Sequence, residues 1–237
     1  MRKTLIWLTV FSIAMGYMES AVVIYLRELY YPGGFDFPLA PLDARIGLVE
    51  LLREASTIIM LLGIGMLTGK TASHKFANFI YCFAIWDLFY YVFLWVFLGW
   101  PESLFTWDIL FLIPVPWVGP VITPCIVAVS MMLLALSIIY YQHKGRNTRL
   151  KATEWIMLVL GSLTIVLSFI WDYIKYAGSK SDIPASANGE LLDELKDYIP
   201  TEFNWSIFLI GEAILLIAIA LFIKRLRRHP VKNQKQL

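Results

Sequence analysis

The chain of 237 residues is 59% hydrophobic with a mean hydropathy of +0.66, well beyond the roughly half-apolar makeup of a soluble domain, which excludes an ordinary water-soluble protein. A formal net charge of +2 says little as a total, so the placement of charges along the chain has to carry the argument. The two cysteines, Cys82 and Cys125, fall in apolar stretches with no spacing that suggests a disulfide framework or a zinc site. Their predicted depths differ by roughly 15 Å, against the ~7 Å a disulfide allows, so both read as buried small hydrophobes.

Arg2 and Lys3 precede the first apolar run, Leu5 to Leu26, which carries Thr9, Ser12, Gly16, Glu19 and Val23 at helical spacing. A cleavable leader is the other reading of this start, but the run continues past Gly16 to spanning length, which favours a retained first span. The connection that follows, from Tyr30 to Pro41, is aromatic and turn-forming, suited to the membrane interface or to a lid over the bundle.

The second span, Ile46 to Leu67, is the most informative because Glu50, Arg53 and Glu54 lie within it. Spacings of three and four residues put them on one broad helical face. An ionisable group at membrane depth costs at least a few kcal/mol, so that face must meet protein or a water-filled cavity rather than lipid. Thr57 and Gly65 continue the face. The third span, Phe76 to Leu98, brings Asp87 with Tyr90 and Tyr91 one turn on.

Between the third and fourth spans, Leu104 to Ile113 is apolar but too short to cross a bilayer, and Pro114, Pro116, Pro120 and Pro124 follow. Prolines remove backbone donors, so this stretch is predicted to be a broken or re-entrant segment whose carbonyls need partners elsewhere. The fourth span runs Val121 to Tyr141, the fifth Trp155 to Tyr176 and the sixth Trp205 to Ile223 with Glu212 in it. Before the sixth, Glu190 to Ile199 has Leu191, Leu192, Leu195 and Ile199 at helical spacing and reads as an amphipathic surface helix. Asp172, near the end of the fifth span beside Lys175, reads as a residue that reaches the headgroups.

Basic residues crowd alternate connections: Arg2 and Lys3, then Lys70 and Lys75, then Lys144 to Lys151, then Lys224 to Arg228. The positive-inside rule makes these cytoplasmic. The expected fold is therefore an all-α integral membrane protein with six transmembrane helices, N-in and C-in. It forms one domain over 1–237 with a basic cytoplasmic tail at 225–237, and the expected location is a cell membrane, specifically a bacterial inner membrane. That tail follows a span directly, so topology and anionic headgroups account for it and no nucleic-acid partner is expected.

Depths counted at 1.5 Å per residue place Glu19, Glu50, Arg53, Glu54, Asp87 and Glu212, from four helices, in one layer of the outer half. With Thr57, Tyr90 and Tyr91 in support, these are the candidate ligand- or cation-binding residues. Five acids against Arg53 leave positive charge to be supplied by protons or a bound cation. No histidine falls in the layer, which argues against a His/Cys zinc site or haem and for oxygen ligation of Ca, Mg or Mn if a metal binds. Three classes of activity fit. The leading one is binding or transport of a proton, cation or small polar solute; the others are a membrane-anchoring subunit with a membrane-protein partner, and an intramembrane enzyme using Glu54 or Asp87 on a lipid-borne substrate.

Overall fold

The computed structural model describes residues 2–40, 43–179 and 197–228. Six long helices make up most of it: α1 (Arg2–Tyr30), α2 (Ala44–Thr68), α3 (Ala72–Leu98), α4 (Ile122–His143), α5 (Ala152–Ser179) and α6 (Trp205–Arg228). All six are long and apolar enough to cross a membrane, and the protein is a multi-pass, predominantly α-helical membrane protein. The helices overrun most of the predicted spans because polar residues at the ends still continue or cap them. Asp43 accepts from the Arg45 N–H at 2.8 Å to start α2, Thr71 accepts from the His74 N–H at 3.2 Å to start α3, and Gly99 ends α3 with a left-handed φ of 64°.

Small residues set which helices touch. A Cβ added at Gly16 would stand 3.0 Å from the Trp86 carbonyl oxygen, so α1 lies close against α3, with Ser12, Gly16 and Ser20 buried in the seam. On the other side of the molecule a Cβ at Gly211 would stand 2.9 Å from the Gly161 carbonyl oxygen, and this pair brings α5 and α6 together. Helix α3 packs on α1, α2 and α4, while α4 also reaches α6, so the molecule is two helical groups joined through α4. The outward faces carry exposed apolar side chains such as Trp7, Leu52, Ile59, Leu67, Leu163 and Ile210, as contact with lipid tails requires.

The proline-rich stretch is a β-hairpin. Strands β1 (Trp107–Phe111) and β2 (Trp117–Pro120) pair antiparallel, Asp108 opposite Gly119, with an irregularity between Ile109 and Phe111. Pro114 and Pro116 occupy the turn, where no ladder donor is needed, and Pro120 closes the second strand. The pairing continues beyond it, because the Val121 and Ile122 N–H groups donate to the Thr106 and Leu104 carbonyls at 3.0 and 2.8 Å. That is how backbone deprived of proline donors is satisfied here.

Opposite the hairpin, Arg225 bonds Glu154 at 2.7 Å and the Arg149 carbonyl at 3.1 Å, and Gln142 bonds Thr71 at 3.1 Å. These contacts gather the basic connections at one end of the bundle, which we call the basic end. At the hairpin end, the connection after α1 folds inward: Phe35, Phe37 and Leu39 pack with Val118, Tyr173 and Tyr198. Asp172 corrects an expectation. Instead of reaching outward it is buried and accepts from the Tyr198 hydroxyl (2.8 Å), from the Thr201 hydroxyl and N–H (2.9 and 3.2 Å) and from the Glu202 N–H (3.4 Å). It closes the chain that re-enters α6. The amphipathic segment expected from Glu190 lies outside the described residues apart from its last three positions, and the basic tail is described only to Arg228. Cys82 and Cys125 are both free.

Candidate functional site

Three helices and the hairpin enclose a polar cavity of about 160 Å³ near the hairpin end. From α1 it takes Glu19 and Arg27, from α2 Glu50, Arg53, Glu54 and Thr57, from α3 Trp86, Asp87, Tyr90 and Tyr91, and from β1 Asp108. The connection after α1 contributes Tyr31, Phe35 and Leu39, so this loop covers the site.

The α1 stripe explains how the acids come to face one another. Ser20 donates both to the Gly16 carbonyl at 2.7 Å and to the Tyr90 carbonyl at 3.0 Å, which fixes α1 to α3 and turns Glu19 toward α2. Arg53 then joins the two helices: its Nε donates to Glu50 at 2.8 Å and its Nη1 to Glu19. Thr57 adds a donor to the second Glu19 oxygen at 3.2 Å. Glu54, one turn from Glu50, accepts from the Leu112 N–H at 3.0 Å, a contact that anchors the hairpin to α2.

A second guanidinium joins the cavity from beyond the predicted end of the first span. Arg27 is buried in the extension of α1 past Leu26, where Nη2 bonds Asp108 at 3.2 Å. Its guanidinium carbon lies 3.7 Å from the centre of the Trp100 ring and 4.3 Å from that of Phe35, a pair of cation–π contacts in a desolvated setting. Asp108 is itself buried and takes a further bond from the Tyr91 hydroxyl at 3.2 Å. Burial pushes the Asp108 carboxyl up to about 6, with Arg27 and the Tyr91 bond pulling the other way. Sequence reasoning misses both residues and leaves Arg53 as the layer's one positive charge. Arg27 continues the Glu19 and Val23 spacing by one more step of four, and Asp108 alternates with Trp107 and Ile109; those are the signals that could have found them.

Asp87 differs from every other acid in the cavity. Among the described residues its carboxyl receives no hydrogen bond, and the neighbouring Trp86 Nε1, buried against the same space, has no acceptor. Five carboxylates and two guanidiniums line the cavity, three formal charges from balance. Among the described residues no three His, Cys, Asp or Glu side chains form a group that could hold a metal ion.

Glu212 is placed elsewhere, contrary to the expectation of a single layer. The glycine seam ties α6 to α5, so Glu212, adjacent to Gly211, faces α4 and accepts from the Ser130 hydroxyl. It does not line the polar cavity. Of the six charged candidates, Glu19, Glu50, Arg53, Glu54 and Asp87 surround one space, together with Thr57, Tyr90 and Tyr91. Compared with known proteins, the chain matches no family model, no curated protein and no solved structure.

Proposed function

We propose that the protein binds a proton or a small solute bearing a cationic group in the outward half of the membrane, and that moving this solute is its activity. The observation that carries the reading is Asp87: a carboxyl inside an acid-rich cavity, with no donor among the described residues, in a setting where an unmatched carboxylate is costly. A cation or a proton removes that cost. Arg53 serves Glu19 and Glu50, and Arg27 serves Asp108 through Nη2 while its Nη1 is buried without a partner; neither guanidinium bonds Asp87.

The orientation belongs to this proposal. With the basic end in the cytoplasm, as the positive-inside rule directs, both termini of the bundle are cytoplasmic and the cavity faces the outside of a cell membrane such as a bacterial inner membrane. The chain then acts as a single six-helix domain. Cysteines introduced at Asp36 and Glu102, in a background lacking Cys82 and Cys125, should react with an impermeant reagent from outside, and one at Arg146 only from inside. Reversal at any position breaks the orientation.

The binding test is thermal stability of the purified chain across pH and across a panel of sodium, potassium and organic ammonium salts, with liposome flux as the activity. Wild type should respond to a cation or to pH, and Asp87→Asn should not. A wild type indifferent to both would show the charged residues to be a packing network only.

A further inference from the structure

A second, larger cavity of about 510 Å³ adjoins the first, within the ~300 to 1,000 Å³ usual for small-molecule sites. The two share the wall formed by Trp86, Asp87, Leu110 and Phe111. Apart from that wall the second cavity is almost wholly apolar, lined by side chains such as Phe76, Ile80, Leu134, Ile165, Phe169 and Leu215 from both helical groups. It extends along α3 from Asp87 toward the basic end as far as Phe76, roughly 16 Å at 1.5 Å per residue.

We infer that the solute is an amphiphile: a single-chain amine-bearing lipid whose ammonium group lies between Asp87 and Glu54 and whose chain fills the apolar cavity. This deepens the cation-binding reading and rests on it. Charge complementarity selects the head, because the polar cavity is three formal charges short of positive charge and Asp87 stands at the mouth between the two spaces. The Trp86 Nε1–H, buried and without an acceptor, calls for an oxygen next to that head, such as a hydroxyl or ester. The apolar cavity selects the chain. Together they give the ligand the direction of a lipid in the outer leaflet, head toward the hairpin end and tail toward the bilayer centre.

The experiment uses the full chain in an uncharged maltoside detergent, with thermal stability read against concentration of three probes: 2-aminododecan-1-ol, 2-aminobutan-1-ol and dodecanoic acid. The long amino alcohol should raise Tm at concentrations where the short one and the acid do nothing. Asp87→Asn should demand at least about tenfold more of it, a loss of about 1.4 kcal/mol. Ser162→Trp, at an exposed position that lines the apolar cavity, should fold normally, lose the response to the long probe and keep the response to simple cations. Equal stabilisation by the short and long amino alcohols would overturn the amphiphile and leave cation binding standing. Equal stabilisation by the fatty acid and the long amino alcohol would overturn it too, since the head would then not be read. Silence with all three probes also overturns it, and the reading beneath it falls as well if salts and pH are without effect.

Discussion

The two helical groups differ in how well their carboxylates are matched. In the α5–α6 pair each acid takes at least one donor from protein. Glu154 takes two guanidinium bonds from Arg225 at 2.7 and 2.8 Å and the Lys151 N–H at 2.8 Å, Asp172 takes four donors from the 198–202 segment, and Glu212 takes Ser130 on one oxygen while the other, Oε2, is buried without a partner. In the α1–α3 group the acids outnumber their partners, and Asp87 has none among the described residues. Depth within an apolar span therefore does not tell a bonded acid from an unmatched one. What sets Asp87 apart is that it lines an acid-rich cavity and takes no donor at all among the described residues, a liability to the fold for a carboxylate.

That contrast breaks most visibly at Arg53. Arg53→Leu leaves Glu19 and Glu50 without their shared cation in a half-buried site, and stability in detergent should fall by roughly 3 to 5 kcal/mol. Thermal unfolding of the variant against wild type measures it. A change within about 0.5 kcal/mol would mean the two acids are neutral in the folded state and the ion pairs carry little weight.

On the other side, Asp172→Ala strips the acceptor from the chain entering α6 and strands the Tyr198 hydroxyl and the Thr201 N–H. A loss of roughly 2 kcal/mol is expected, mainly from the Tyr198 hydroxyl, which stays buried without its acceptor, with no change in the response to cations. Protection of the Thr201 and Glu202 amides from hydrogen exchange should drop first. A loss of cation response in this variant would erase the division between the two groups.

Much of this arrangement is legible in the residues alone. Glu50, Arg53 and Glu54 stand out because charges at helical spacing inside a spanning segment cannot face lipid, and the stripe of Ser12, Gly16 and Glu19 at helical spacing is the face that α1 turns to its neighbours. The rest is hidden for definite reasons. In the apolar run before the prolines, Trp107, Ile109 and Phe111 alternate with Asp108 and Leu110, but so short an alternation between apolar residues barely distinguishes a strand from a helical fragment. Arg27 escapes notice because it lies just past a predicted span end, where a charge normally reaches water, and Asp108 because it sits in a short apolar run assigned to no span. Asp172 misleads because a charge near a span end, beside Lys175, normally reaches the headgroups, whereas its true partners lie 26 to 30 residues away. Glu212 shares the depth of the other acids, and depth carries no information about azimuth. The Gly161–Gly211 contact that turns it toward α4 is a tertiary fact.

The Arg27–Asp108 pair offers a milder, graded test. The folded chain holds the Asp108 proton up to about pH 6, whereas the unfolded chain releases it near its ordinary value of 3.8. The folded state is thus favoured at low pH, and the advantage is lost as pH rises from about 4 through 6, a change on the order of 3 kcal/mol at 1.36 kcal/mol per unit. Asp108→Asn should flatten the stability profile in that window. A profile unchanged by the substitution would show that Arg27 keeps Asp108 ionised throughout.

The smallest expected effect on stability falls at the residue with the largest expected effect on function. Asp87→Asn keeps the shape of the side chain and removes a charge that no donor among the described residues meets, so the folded state loses no bond; unfolding should move by less than about 0.5 kcal/mol, or toward greater stability. Cation response and flux should vanish with it. A structural acid behaves the other way round: replacement of Asp172 costs stability and leaves binding alone. Measuring both variants in one titration places Asp87 and Asp172 on the same two axes, stability and cation response. If Asp87→Asn proves as destabilising as Asp172→Ala, its carboxyl has partners in the folded protein that make it part of the scaffold, and the distinction between the two helical groups collapses into a difference of degree.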